Sequence, residues 1–412
     1  MRLRPNLALL SLDGDAVVFS EESQHLLRLN APAALLFREL QEGTCATELA
    51  QVLASEGPVA LDEAEQWVTA TLDCFRSCGL FEDGPGAPDA SIPSAGLEIL
   101  AARMAAECAP YAPFEPVAEE RYRLLETCAL IRFGHLAQVR LVRSVIGHLA
   151  TDDHLTPSIV IDISAEMLDN GHLRSDVYRD GIAIGRAPRL SWLAPIVKGA
   201  LWQSAINAHD FLFYIHSGVV GTGASCVLLP AASGGGKSSL TAALVHRGCR
   251  YFSDEVALIE ATTFHVSPMP LAICIKSTGW DLMAPYCPGI SLLPVHVRID
   301  RKVLRYIPPP ADAVEQVPMP VAHIIFPRYE QNAPTRLERV NRSEALGRIM
   351  DECVALRQRL DHTKVRQLVG WIAGIECYEL TFSSLEAAAQ LVMEATGSSR
   401  CGAADPGDLR RV

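Results

Sequence analysis

Short apolar runs broken by a polar turn mark strand-length segments at the start of the chain, where the side-chain period is two. Residues 6–12 and 16–20 read as short strands about the turn Asp13-Gly14-Asp15, and residues 24–29 as a third. The period then lengthens. Asn30 is placed to cap a helix over 31–40 that ends near Gly43, and Thr44 to cap a second helix through 54. Asp62 with Glu65 reads as a capping box for a third, whose Ala64, Trp67, Val68, Thr71, Leu72 and Phe75 share one side. Three strands followed by three short helices predict a winged-helix-like module over 1–83. The Gly-, Pro- and Ala-rich stretch 84–96 reads as a linker.

The pattern is weaker over 97–210, which reads as an accessory α/β region packing on the core and carrying no assigned chemistry. Helix is expected over 97–107 and 192–208, strand over 124–132 and 158–163, and a hairpin turn at Tyr178-Arg179-Asp180-Gly181. From 211 to 396 the elements sharpen into a core with a mixed sheet. An apolar strand over 226–230 runs into a glycine-rich turn, then a helix that Gly248 closes. A strand, the pair Asp254-Glu255 and a further strand follow over 251–259. Later expectations are strands over 301–310 and 321–327, a helix over 342–356 capped by Asn341 with Glu344, and a final helix over 385–395. Residues 397–412 read as a flexible tail.

At 412 residues the chain is long enough for two or three domains, and 49% hydrophobic residues provide for a sizeable core. A net charge of −12 argues against nucleic acid as a partner. The twelve cysteines show no CxxC and no Cys/His cluster at zinc spacing, so reduced thiols are expected. No run approaches the roughly 20 apolar residues of a membrane span, and no signal peptide is read. The expected location is cytoplasmic, with no membrane partner.

The candidate chemistry centres on Ala231-Ala232-Ser233-Gly234-Gly235-Gly236-Lys237-Ser238, followed by Ser239. Strand, glycine turn, Gly-Lys-Ser and helix is the layout of a phosphate-binding loop, save that Ala231 stands where the pattern has its first glycine. Turns free of side chains let backbone N–H groups face a polyphosphate, Lys237 reaches its outer phosphates, and the Ser238 hydroxyl is suited to Mg2+. Asp254 and Glu255, at a strand end soon after this loop, are suited to hold the metal or to take a hydroxyl proton. His216, after the apolar run 211–215, is by itself better read as a satisfied core residue.

Two resemblances extend this picture. The stretches Leu27-Arg28-Leu29-Asn30-Ala31-Pro32-Ala33-Ala34, Gln41-Glu42-Gly43-Thr44 and Cys78-Gly79-Leu80-Phe81 resemble PqqD-type domains. That resemblance implies binding of the leader segment of a ribosomally made precursor peptide. A free strand edge accepts an extended peptide as an added strand, so Leu27, Leu29, Trp67, Thr71 and Phe75 are candidate groove residues, each equally suited to the core. Separately, His216-Ser217-Gly218-Val219-Val220, the loop through Ser239, Arg247-Gly248 and Ser253-Asp254-Glu255 resemble the HPr kinase family, over about 120–395. The resemblance implies ATP and Mg2+ as cofactors, Asp254 as catalytic base, Glu255 as a metal ligand in place of a second Asp, His216 near the phosphates, and Lys276 as a phosphate contact. Cys274 stands where the family has a Glu, which puts the reverse phosphorolysis reaction in doubt. A homo-oligomer is plausible on the same ground.

The expected function is therefore an ATP-dependent kinase of a Ser or Thr hydroxyl on a precursor peptide. The alternatives are a nucleotide-gated peptide carrier without kinase activity, and a kinase of a small metabolite.

Overall fold

The computed structural model describes residues 2–56, 59–83, 102–153 and 155–397. The expected linker over 84–96 and the tail beyond 397 lie outside these residues, as does the first half of the helix expected over 97–107. The chain forms an α+β structure divided into two compact units. One comprises 1–92, 339–351 and 356–377; the other comprises 93–338, 352–355 and 378–412. Pattern along the sequence suggested one boundary near residue 83 and kept 211–396 together. The discontinuous first unit had no local signal.

In the first unit, strands β1 (Leu7–Leu12), β2 (Asp15–Ser20) and β3 (His25–Leu29) form an antiparallel sheet in the order β1-β2-β3. The hairpin turns through Asp13 and Gly14, both with positive φ, as a tight two-residue turn requires. Helices α1 (Ala31–Glu42), α2 (Ala46–Glu56) and α3 (Leu61–Ser77) follow. Asn30 caps α1 through Ala33, and Gly43 ends it in the left-handed region. Two expected caps differ. The Thr44 hydroxyl donates to Glu39, while Glu48 takes the Cys45 amide. Helix α3 starts after Ala60 with no side-chain cap, leaving Asp62 in the first turn, where a carboxylate suits the helix dipole.

The core of this unit gathers Ala16, Val18, Leu29, Phe37, Val68 and Phe75. Strand β2 is buried on both faces, because Val17 and Phe19 are also buried. The helices Arg342–Asp351 and His362–Ala373 belong to this unit and dress its sheet. Ser343 donates to Asp15, Arg342 pairs with Asp13, and the His362 ring stands edge-on to Phe19. The run Ala16-Val17-Val18-Phe19 carries that burial in its composition: a strand buried on both faces does not alternate. The helix expected over 342–356 is corrected by the structure, ending at Asp351; Cys353–Leu356 is a strand, β21 below.

In the second unit, β4 (Ala118–Leu124), β5 (Thr127–Phe133), β6 (Ile159–Ile163), β7 (Glu166–Met167), β8 (Leu173–Arg179) and β9 (Ile182–Ala187) make a mixed sheet. Helices α4 (Leu136–Ile146) and α5 (Leu190–Ala208) share its hydrophobic core. The β8–β9 turn passes through Asp180 and Gly181 at positive φ, as the sequence pattern requires.

A second sheet holds β11 (Ser217–Thr222), β12 (Ser225–Pro230), β13 (Arg250–Ser253), β19 (Val321–Tyr329), β20 (Arg336–Arg339) and β22 (Glu376–Phe382). Its order is β13-β11-β12-β19-β22-β20, with β12 and β19 parallel. Strands β10 (Phe213–Ile215), β14 (Ala257–Ile259), β15 (Val266–Ser267) and β21 (Cys353–Leu356) form a third sheet. Strands β16 (Ile273–Lys276), β17 (His296–Val297) and β18 (Val303–Ile307) form a fourth. Helix α6 (Lys237–His246) and the final helix Leu385–Ala395 pack into a shared apolar cluster with β12 and β22.

Candidate functional site

The glycine turn lies between β12 and α6. Gly234 and Gly236 have φ of +105° and +89°, so each holds a shape that L side chains rarely take. Crowding fixes the turn further. A Cβ on Gly235 would come within 2.9 Å of the Pro327 carbonyl, and one on Gly236 within 2.7 Å of the Phe382 ring. Gly218 matters for the same reason: its missing Cβ lets α6 lie on β11, since a methyl there would meet the Thr241 hydroxyl at 2.3 Å. Helix α6 begins after Gly236, with no side-chain cap and no acid in its first turn. Its first amides are therefore left for an anion.

Lys237 opens the helix and is buried. Its Nζ donates to His216 Nε2 at 2.6 Å. Burial, then the Lys237 charge, push the His216 imidazole down to about 4, so it is neutral at physiological pH. The neutral ring accepts at Nε2 and carries its proton at Nδ1, which faces Glu352 Oε2 at 3.7 Å. Burial likewise lowers the Lys237 pKa, against the pull of Asp254, Glu255 and Glu352.

The two acids sit in opposite environments. Asp254 is buried, with Oδ2 accepting the Cys274 amide at 3.0 Å. Its Oδ1 is buried and, among the described residues, has no hydrogen-bond partner. Burial raises its pKa to about 6, opposed by Lys237 and the Cys274 amide. Burial also works against ionisation of Glu255, but Lys198 overcomes it by charge and hydrogen bond, and the pKa falls. Lys198 Nζ lies 2.5 Å from Glu255 Oε1. The acid turn is held by the Ser253 hydroxyl, which accepts from the Glu255 and Val256 amides.

Lys276, at the end of β16, donates to the Ser233 hydroxyl at 2.6 Å, tying the glycine turn to the fourth sheet. Its pKa is lowered by burial and by the neighbouring Lys302 and Arg298. Cys274 contributes its amide. Its thiol, pushed up to about 12 by burial and then by Glu255, stays protonated and supplies no charge.

The structure thus brings together His216, Ser233, Lys237, Ser238, Asp254, Glu255 and Lys276; the Ser238 hydroxyl is close enough to Asp254 to favour its charged form. Ser239 lies one residue on, in the first turn of α6. Among the described residues, no group of three or more His, Cys, Asp or Glu side chains is disposed to hold a metal ion. Mg2+ commonly takes only one or two carboxylates beside water and phosphate oxygens. An uncapped helix start, a buried ammonium and an unpartnered carboxylate oxygen fit MgATP on that pattern.

Sequence reasoning missed Lys198, Glu352, Arg298 and Phe382. Lys198 did leave a signal: it is the single charged residue in the 19-residue helix α5.

The five candidate groove residues of the first unit divide. Leu29 and Phe75 are buried core residues, with Phe75 stacked edge-on to Phe37 at 5.8 Å, so neither presents a wall. Leu27 is half-buried, Thr71 partly exposed, and Trp67 43% exposed. No strand among the described residues pairs with the outer edge of β3.

No family model matches the chain, and no curated protein matches it. Solved structures similar to parts of it include three of note. One is TbiB1 in complex with the TbiA(beta) leader peptide, at 18% identity and TM-score 0.20 over 21% of this chain and 99% of that chain. Another is lasso peptide synthetase B1 complexed with the leader peptide, at 30% identity and TM-score 0.18 over 19% and 93%. The third is the Hpr(Ser) kinase/phosphatase from Coxiella burnetii, at 16% identity and TM-score 0.20 over 44% of this chain and 98% of that chain.

Proposed function

We propose that the chain is an ATP-dependent kinase of a Ser or Thr hydroxyl on a ribosomally made precursor peptide, whose leader is held by residues 1–83. The observation that carries this reading is Asp254: a buried carboxylate with one unpartnered oxygen, beside the buried Lys237 at the start of α6.

In this reading Ser233, Gly234, Gly235, Gly236 and Lys237 hold the polyphosphate, with Ser239 in the same first helical turn. Ser238 and Glu255, with Asp254 adjacent, hold Mg2+. Bound MgATP would supply the γ-phosphoryl group to the acceptor oxygen, with ADP leaving as the β–γ bond breaks. Asp254 accepts the acceptor hydroxyl's proton at Oδ1; a pKa near 6 leaves it ionised at neutral pH yet more basic than an ordinary carboxylate. Lys237 and Lys276 offset charge on the transferred group, and neutral His216 keeps the Lys237 ammonium aimed. The leader would add as a strand to the edge of β3 that no described strand pairs, with Leu27 on β3 and Thr71 and Trp67 on α3 as the candidate contacts that are not fully buried.

The test uses the purified full chain, MgATP and synthetic Ser- and Thr-bearing peptides made from any short reading frame found beside its gene. The expected outcome is a gain of one phosphate on a Ser or Thr, lost in Asp254→Asn while a fluorescent leader still binds. Transfer by Asp254→Asn at the wild-type rate would remove the assigned base. Nucleotide hydrolysis with no mass gain on any peptide would favour a carrier.

A further inference from the structure

Helix α5 is an apolar helix that buries Leu193, Ala194, Val197, Leu201, Ala205 and Ile206. Lys198 is buried among them, at 5% exposure. A lysine in such a place is costly unless its ammonium is paired. Here the ammonium has two partners: Glu255 Oε1 at 2.5 Å and the face of Tyr306, its ring centroid 5.2 Å away. The backbone beside Glu255 is fixed independently. Val256 lies in the same apolar cluster as Val197 and Leu201, and Ser253 holds the turn from within. Glu255 therefore has an immobile backbone and one immobile oxygen.

We propose that Lys198 is a positioning residue of the nucleotide site, holding Glu255 in a single orientation with one carboxylate oxygen tied and the other left for a divalent ion. The inference rests on the nucleotide reading above. It gives the region over 97–210 a part in the chemistry, since that region provides the fixed cation behind the second acid. The two acids are thus served by different cations: the Lys237 charge acts on Asp254 from beside it, and Lys198 holds Glu255 by a direct ion pair. With Lys198 gone, Glu255 is free to swing toward Lys237, whose charge already reaches it.

The experiment uses the full chain as Lys198→Met, Lys198→Arg, Glu255→Gln and Lys198→Met/Glu255→Gln. Calorimetry measures Mn2+ affinity in the presence of the non-hydrolysable analogue AMP-PNP, and urea unfolding measures each variant's stability. Lys198→Met is expected to weaken Mn2+ binding by about tenfold or more, as loss of a ligand-orienting partner does. Lys198→Arg should recover most of that loss. In the Glu255→Gln background, Lys198→Met should cost Mn2+ affinity nothing further, and the double variant should be no less stable than Lys198→Met alone. Equal Mn2+ losses in Lys198→Met and Lys198→Arg, or an undiminished loss on the Glu255→Gln background, would overturn the positioning role. If the wild-type chain takes up no Mn2+ with AMP-PNP, the nucleotide reading fails. The urea cycle still decides the Lys198–Glu255 coupling, and additive destabilisations there would overturn it separately.

Discussion

The glycine-loop region of the second unit and the three-stranded module of the first use local sequence differently. In the loop region, adjacent residues do distinct jobs: Gly236 takes a left-handed turn, Lys237 is buried against His216, and Asp254 and Glu255 answer to different lysines. In the module, alternate residues of β2 serve two faces: Ala16 and Val18 lie in the core with α1–α3, while Phe19 meets a helix from more than 300 positions later in the chain. Chemistry that depends on spacing within a turn is written locally. Burial that depends on a distant partner is written only as an unexplained apolar run.

Substitutions can break this contrast, beginning with the largest effect. Asp254→Asn should lower phosphoryl transfer by roughly 10²–10⁴-fold, the span of a general base. Wild-type kcat/KM for transfer, which follows the free protein, should rise with pH and level off above a midpoint near 6, the folded value of this carboxyl. Stability should move the other way. Because the folded pKa is raised, ionising Asp254 removes stability as pH climbs from its ordinary range through 6. Asp254→Asn should therefore gain about 1–3 kcal/mol at pH 7.5 and nothing at pH 4, read by urea unfolding.

Next, Phe75→Ala should destabilise the first unit by about 3–5 kcal/mol, the cost of a large core deletion. Trp67→Ala should change stability by less than about 0.5 kcal/mol, yet weaken leader binding in a fluorescence titration. If both weakened binding without loss of stability, Phe75 would belong to a groove after all.

Gly236→Ala adds a methyl where φ is +89° and the Phe382 ring is 2.7 Å away. A cost of about 1–3 kcal/mol is expected, with AMP-PNP binding lost by calorimetry. Arg28→Ala sits at the small end. It breaks exposed pairs with Asp15 and Glu344, and thermal melts should show less than about 1 kcal/mol.

Much of the site was legible before any coordinates. The glycine positions, Lys237 and Ser238 follow from one strand-turn-helix pattern, and the acid pair from a strand end soon after it. Asn30, Gly43, the Asp180-Gly181 turn and the final helix were legible for the same reason, each being set by its own few residues. What stayed hidden depended on tertiary partners. Asn341 and Glu344 signal a helix start, but nothing nearby signals that the chain turns to strand at Cys353 to pair with β10. Leu29 and Phe75 have the apolar character of a groove wall and of a core alike, and only packing separates the two.

The props beneath the glycine turn carry a practical consequence. Pro327 and Phe382 press on Gly235 and Gly236 from strands that follow the turn by some 90 and 145 positions. Residues 225–246 are consequently not a portable cassette. Grafted into a foreign scaffold they would keep their spelling and lose their shape, because the mould that casts them is assembled last, from the far end of the chain.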